Sequence, residues 1–365
     1  MAGKVILAVA GAGKTFYICN AVDPARKNLL LAFTRENVKN LNRELIRRFG
    51  YIPEKTFVMT YHSFLHQFLI RPYEQTIFKT FSVIYRETNG VTLKSPPESS
   101  ITTKSGGYIK NPQYFKVGSI HHYMNSNCEY YCTLMASLLM NLPARCLKQI
   151  LQNFSRFFDD IYIDEFQDFR QKEYELLLNI CKVCERVTMV GDYYQHSVSG
   201  QNNSGKPYGT RANIIDYEAF IKELQKQNIE VDNTTLSSSY RCSENVCKYI
   251  RERLGIYIKG NKERKGDIIV LDDSSKDIWD IIEDDSICKL VYNNASKKSF
   301  KCTNWSYSKG NTYKDICVVL TKDTVPVLSG KIEKISQITK NKLYVALTRS
   351  SGNVYLISPK YLKER

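Results

Sequence analysis

The sequence has no apolar run able to cross a bilayer. Its longest, such as Leu29 to Phe33, stop after one strand's length, whereas a membrane helix needs ~20 residues. No basic stretch followed by an apolar segment and a cleavage site opens the chain, which begins Met-Ala-Gly-Lys-Val-Ile-Leu. No secretory signal and no membrane partner are therefore expected, and the protein reads as intracellular. A disulfide framework is also missing: the 11 cysteines are odd in number and scattered. Cys181 and Cys184 form a CxxC late in an apparent helix, without a second pair. His121, His122, Cys128 and Cys132 are better spaced for a metal, but both groups read as core or surface residues. No repeat at a fixed period and no low-complexity tail is present. Acid is in deficit: 37 Asp and Glu face 52 Lys and Arg, a formal charge of +15. That balance suits a polyanionic partner, although a merely soluble basic protein would share it.

What is there is a globular composition, 43% hydrophobic and 24% charged, in 365 residues. That length suits two domains of ordinary size or one large one. Short apolar runs alternate with helical patterns. Val5–Val9, Asn28–Phe33, Phe57–Thr60, Asp160–Ile163 and Val187–Val190 read as buried strands. Val38, Leu41, Leu45 and Phe49 recur at helical spacing, as do Tyr174, Leu177, Leu178 and Cys181. Such alternation implies a parallel sheet covered on both faces. A second series starts near residue 231, with strand candidates Ile268–Leu271, Ile287–Tyr292, Ile316–Leu320 and Val354–Ile357. Between them Leu93–Pro112 is rich in Ser, Thr, Lys, Gly and Pro without a period, and helical tracts follow at Tyr131–Leu142 and Ala144–Phe158. The expected organisation is α/β: a first lobe from residues 1–72 and 155–230, a small, mainly helical insertion at 73–154, and a second lobe at 231–365.

Three strand ends carry chemistry. Ala8-Val9-Ala10-Gly11-Ala12-Gly13-Lys14-Thr15 follows a strand and opens a helix, the context of a phosphate-binding loop, though Ala8 stands where its first glycine usually does. Gly11 and Gly13 let backbone N–H groups turn toward phosphate oxygens. Ala10 and Ala12 complete that loop. Lys14 is expected to reach the β- and γ-phosphates, and the Thr15 hydroxyl to ligate Mg²⁺. A second strand ends in Asp164-Glu165-Phe166-Gln167-Asp168. Asp164 is expected to hold the metal and Glu165 to act as general base on the attacking water. An acidic surface turn is the bland alternative, and it fits poorly at the carboxyl end of a buried strand, where such sheets bind ligands. A third strand ends in Gly191-Asp192-Tyr193-Tyr194-Gln195; Asp192 and Gln195 are candidates to sense the γ-phosphate, although Gly-Asp alone marks only a turn.

These motifs, with others in order along nearly the whole chain, resemble the UvrD/Rep-type superfamily 1 helicases. Ala10–Thr15 looks like motif I, Leu31–Val38 resembles motif Ia, and Thr60-Tyr61-His62-Ser63-Phe64 resembles Ib. Asp164–Asp168 is the family's form of motif II, Gly191–Gln195 resembles III, and Ser239-Tyr240-Arg241-Cys242 resembles IV. Ser308-Lys309-Gly310 is similar to motif V and Leu343–Arg349 to VI. The resemblance implies two RecA-like lobes closing on ATP. Tyr240 would stack on adenine, and Arg241 and Arg349 would reach the γ-phosphate from the second lobe. Gln167 and Gln195 would link nucleotide to lobe movement. Phe33, Thr34, Tyr61 and His62, with Ser308 and Lys309 opposite, would line a single-strand path. Phosphate contact and base stacking suit such a path.

The chain also departs from the family. Only seven residues precede Ala8 in this sequence, so a glutamine-bearing motif ahead of the loop is not expected. His196-Ser-Val-Ser-Gly stands where base-stacking aromatics are usual. Asn311-Thr312-Tyr313 replaces Leu-Glu-Phe in motif V, closer to the RecD/Pif1-type branch. About ten residues separate Ala295 from motif V, so the family's large second-lobe insertion is missing. Lys259–Lys265 is basic and reads as a solvated loop. The leading expectation is an ATP-driven translocase or helicase on single-stranded DNA or strand junctions, moving 3′ to 5′. The alternative is a DNA-stimulated ATPase switch acting with a nuclease or other effector. A small-molecule kinase would explain Lys14 but not Gln167, Tyr240 or Arg349.

Overall fold

The computed structural model describes residues 3–103, 106–196, 205–209, 214–272, 274–275, 277–331 and 335–361. Two parallel sheets dominate it. The first is six-stranded: β1 (Gly3–Leu7), β2 (Asn28–Ala32), β3 (Thr56–Thr60), β4 (Asp160–Ile163), β5 (Val187–Gly191) and β6 (Ile229–Asp232) stand in the order β6-β1-β5-β4-β2-β3. Every neighbouring pair is parallel. β2 reads Asn-Leu-Leu-Leu-Ala and is buried at every position, as a strand covered on both faces must be. The last strand, β6, belongs to this sheet and straddles the expected boundary at 230/231.

The second sheet is five-stranded: β7 (Ile268–Val270), β8 (Cys288–Val291), β9 (Thr303–Asn304), β10 (Ile316–Val319) and β11 (Val354–Ile357), ordered β7-β11-β10-β8-β9, all parallel. The protein is thus a two-lobed α/β molecule of RecA-like build.

The helices carry the signals that position the loops. α1 (Lys14–Ala21) follows β1, and α2 (Arg35–Phe49) follows β2. The Thr34 hydroxyl caps α2 by accepting the Asn37 N–H at 3.1 Å, and Gly50 closes it in the left-handed region with its N–H on Ile46 O. Leu41 and Leu45 are its buried stripe. α3 (Gln171–Val183) buries Tyr174, Leu176, Leu177, Ile180 and Cys181 on the first sheet. In the second lobe, α4 (Glu244–Leu254) is capped by Ser243 and α5 (Gln337–Leu347) by Ser336. α5 buries Asn341 and the run Leu343–Leu347.

The inserted stretch is mainly helical, with short strands added. Ser100–Thr102 and Tyr108–Lys110 pair as an antiparallel hairpin inside the segment that shows no period. The tract at 131–142 is helical only over Met135–Met140, preceded by a short strand and a 3-10 turn, and the next helix ends at Phe154. Asn141 and Pro143 interrupt the two helices, which apolar spacing alone does not reveal.

All 11 cysteines are free, and Cys181 and Cys184 are core residues. Among the described residues, no group of three or more His, Cys, Asp or Glu is arranged to hold a metal ion, and no helix is long and apolar enough to cross a membrane.

Candidate active site between the lobes

The loop after β1 takes its shape from two glycines in the left-handed region, Gly11 at φ 72° and Gly13 at φ 78°. Gly11 has a second reason to lack a side chain: a Cβ there would stand 2.7 Å from Arg241 Cβ and Ser239 Oγ. The second lobe presses on the loop at this point, and the Tyr240 N–H donates to Gly11 O at 2.9 Å. Gly13 caps α1 without a side-chain acceptor, so the first-turn N–H groups of the helix open into the cleft. Such an array of donors at the positive end of a helix favours an anion.

The acidic turn after β4 faces this loop. The Thr15 hydroxyl donates to Asp164 Oδ2 at 3.3 Å, and Lys14 Nζ lies 3.9 Å from Glu165 Oε2. Glu165 adopts φ 54°, ψ 44°, a conformation a non-glycine residue holds only when its surroundings impose it. Gln167 fixes the carboxylate: its Nε2 donates to Glu165 Oε2, and its Oε1 accepts the Asp192 N–H at 2.8 Å. Burial pushes Asp164 up to about 7, and the neighbouring Glu165 charge adds to this. Burial alone would raise Glu165 as well, but Lys14, Lys309, Gln167 and Arg349 outweigh it and hold Glu165 well below the ordinary range.

The opposite wall comes from the second lobe. Arg241 Nη1 donates to Thr348 O at 3.1 Å. Arg349 Nε donates to Val345 O at 2.9 Å, and its Nη2 to Thr348 Oγ1 at 3.2 Å. Among the described residues neither guanidinium has a carboxylate partner. Burial, and then the Arg241 charge, bring Arg349 down to about 10. A buried Arg349 and a partly buried Arg241, both held by carbonyls, form a receptor for negative charge. Gly11–Thr15, Asp164, Glu165, Gln195, Arg241 and Arg349 all line one cleft of about 190 Å³. A larger cleft of about 500 Å³, on the Tyr217 and Lys340 side of the loop, contains none of them.

Two groups here were not legible in the sequence. Phe16, half exposed at 51%, lines the cleft with Asn37 and Asn40, while Tyr240, 66% exposed, lies beside it near Gly13 rather than in its lining. A Cβ on Gly13 would stand 3.8 Å from the Tyr240 ring and 3.8 Å from Phe16 Cβ. In the sequence Phe16 is one apolar residue in a short helix. The other is Tyr344: its hydroxyl accepts the Ala10 N–H at 2.8 Å and donates to Asp192 Oδ2 at 3.1 Å, so it binds the second lobe to the loop and to the end of β5.

Comparison with known proteins bears on this arrangement. Residues 94–197 match the UvrD/REP helicase N-terminal domain, a span that includes Asp164–Asp168 and Gly191–Gln195. Over that span the chain is similar to the UvrD/Rep-type helicases. It is 24% identical over 293 residues to a probable DNA helicase II homolog of Mycoplasma genitalium, covering 67% of this chain and 39% of that protein. It is 22% identical over 324 residues to the ATP-dependent DNA helicase PcrA of Bacillus subtilis, covering 79% and 40%. The chain therefore spans about two fifths of the length of these relatives. A solved arterivirus nonstructural protein 10 (helicase), in complex with DNA, aligns over 99% of this chain and 63% of its own, at TM-score 0.48 and 12% identity.

In this chain the residues expected along a strand path do not form one surface. Phe33 is half-buried, edge-on to His62 at 5.2 Å and to Phe169 at 5.5 Å. Phe33 and His62 line a cleft of about 390 Å³ with Arg35, Thr60 and His66. Thr34 is the cap of α2. Tyr61 departs from the expectation: its ring is fully buried, 4.7 Å from Phe169. Ser308 is buried too, donating to Trp305 O at 2.7 Å. Lys309 points into the molecule, 2.8 and 2.9 Å from the Asp168 carboxylate oxygens and 4.0 Å from Glu165. Ser308 and Lys309 find their polar partners inside the protein and the Tyr61 ring is packed there, which removes all three from an outer face. Beside them Tyr307 is 75% exposed. Ser197–Gly200, where base-stacking aromatics are usual in the family, lie outside the described residues.

Proposed function

We propose that the chain is an ATP-hydrolysing motor acting on single-stranded DNA, with catalysis in the cleft between its two lobes. The observation that carries this reading is the meeting of Lys14 and Glu165 from one lobe with Arg241 and Arg349 from the other around one space. Neither lobe holds the complete set, so turnover depends on their docking, which is what converts hydrolysis into movement.

In this reading the N–H groups of Gly11–Thr15 and Lys14 Nζ cradle the β- and γ-phosphates. Glu165, ionised and oriented by Gln167, takes the proton of the attacking water. Gln195 and the two guanidiniums stabilise the charge that develops on the γ-phosphoryl oxygens. Tyr240 and Phe16 hold the base by stacking. Thr15 and Asp164 supply adjacent hard oxygen donors, which fit Mg²⁺; when bound, that ion neutralises phosphate charge. The basic balance of the chain and the cleft at Phe33 and His62 support single-stranded nucleic acid as the track. The resemblance to the helicase family supports DNA over RNA and movement 3′ to 5′.

A DNA-stimulated switch that serves a nuclease or other effector remains the second reading. It is favoured by the short link from β8 to Trp305, which holds only a 3-10 turn and β9. ATPase assays with and without single-stranded oligonucleotide, run beside strand displacement, separate the two. DNA-stimulated turnover with displacement supports the motor, and stimulation without displacement supports the switch. Glu165→Gln is expected to bind ATP and not turn it over. Normal hydrolysis by that variant would remove Glu165 as the base.

A further inference from the structure

Tyr344 lies in the middle of α5 and is fully buried. If packing were its whole role, phenylalanine would serve, because a buried hydroxyl needs partners that an apolar core does not offer. Here the hydroxyl has two, both on the other lobe: it accepts the Ala10 N–H and donates to Asp192 Oδ2.

Asp192 is also fully buried and is the hub of a network. Its Oδ2 additionally accepts Gln195 Nε2 at 2.8 Å, and its Oδ1 accepts the Tyr194 N–H at 3.0 Å. Its own N–H holds Gln167 Oε1, which leaves the Gln167 amide nitrogen directed at Glu165 Oε2. One continuous path of hydrogen bonds therefore runs from a second-lobe hydroxyl to Gln195 on one branch and to the Glu165 carboxylate on the other. Removal of α5 would take a donor from a buried carboxylate and an acceptor from a loop N–H together. Each loss carries the desolvation penalty of an unpaired buried group.

We propose that Tyr344 is a positioning residue: its hydroxyl holds Asp192, and through it Gln195 and Gln167, in hydrolytic geometry only while the second lobe is docked. This rests on the ATP-hydrolysis reading above. It gives the cleft a second dependence on docking, separate from the arginines. Arg241 and Arg349 act on the phosphate directly, whereas Tyr344 acts on the first-lobe groups that face it.

The test uses the full chain as Tyr344→Phe, Gln195→Ala and the double variant, with ATPase rates measured across ATP concentrations with and without a single-stranded oligonucleotide. Tyr344→Phe is expected to lower kcat by about 10- to 100-fold with KM for ATP changed by less than about 3-fold. It is expected to add nothing in the Gln195→Ala background, because both act through one network. A kcat within about 2-fold of the unmodified chain, or a fully additive double variant, overturns the proposal. Asp192→Asn provides a second route should Tyr344→Phe fold poorly: it must give the same kcat loss at unchanged KM, and an unaltered kcat overturns the proposal as well. If the unmodified chain hydrolyses no ATP, the motor reading fails by itself. Hydrogen exchange at the Ala10 amide then decides the present point: Tyr344→Phe must accelerate it, and equal rates overturn the docking contact.

Discussion

The nucleotide cleft and the expected strand path treat their polar side chains in opposite ways. In the cleft, Arg241 and Arg349 are held by carbonyls and face open space, and the first turn of α1 leaves its N–H groups uncapped. Charge there is kept available. Along the path, Tyr61 and Ser308 are buried and Lys309 is tied to Asp168. The difference teaches that a motif whose chemistry is fixed by the backbone identifies its site directly. A motif whose chemistry depends on which way a side chain turns does not.

The largest effects should come from the cleft. Lys14→Ala is expected to abolish hydrolysis. Arg349→Ala should bind ATP and lose about 10³-fold or more in turnover, as an arginine acting across a cleft would. Nucleotide binding measured beside kcat checks this; an Arg349→Ala chain of normal turnover would break the contrast between cleft and path, since that guanidinium would then be as structural as Lys309.

Lys309 and Tyr307 sharpen the comparison next. Lys309→Ala takes the ammonium from a buried carboxylate and should cost about 3 kcal/mol of stability, the scale of breaking a buried pair from one side. Tyr307→Ala should leave the denaturation midpoint unchanged and weaken single-strand binding by about 10-fold, the scale of one lost base stack. The reverse pattern would return Lys309 to the path. At the cleft mouth, Phe16→Ala should raise KM for ATP by about 5- to 10-fold with kcat unchanged, the loss of one stacking face. Titration with other nucleoside triphosphates checks whether the clamp reads the base by its flat face alone.

Much of the fold was legible because its strands are continuous apolar runs. Asp160–Ile163 and Val354–Ile357 stand where the sequence puts them, the other expected strands differ by a residue or two at their ends, and β6 and β9 had no counterpart in the sequence reading. The phosphate loop and acidic turn were legible because glycine, lysine and paired acids at strand ends have few other uses. Tyr344 was not. In sequence it is one apolar position in a buried helix, and its role appears only when its hydroxyl meets an aspartate 152 positions away. Tyr61 shows the converse. An aromatic residue after a strand reads equally as a stacking platform or as core, and only the neighbouring Phe169 decides between them. The hairpin at Ser100–Lys110 was illegible because two short, exposed strands carry no hydrophobic alternation.

The smallest effect is also the most local. His62 stands on the path side, 3.5 Å from Glu173 Oε1. Burial alone would lower its pKa, but hydrogen bonds to Cys132 and Glu173 outweigh it and raise the imidazole to about 9. A histidine raised above its unfolded value of about 6.5 contributes stability that is complete below that pH and disappears as pH rises through about 9. The unfolding free energy should therefore fall across that window, and His62→Gln should flatten the fall. A profile unchanged by the substitution would mean that His62 is neutral in the folded chain. The imidazole would then be free of Glu173 and available to a strand, and the path side would resemble the cleft more closely than its geometry indicates.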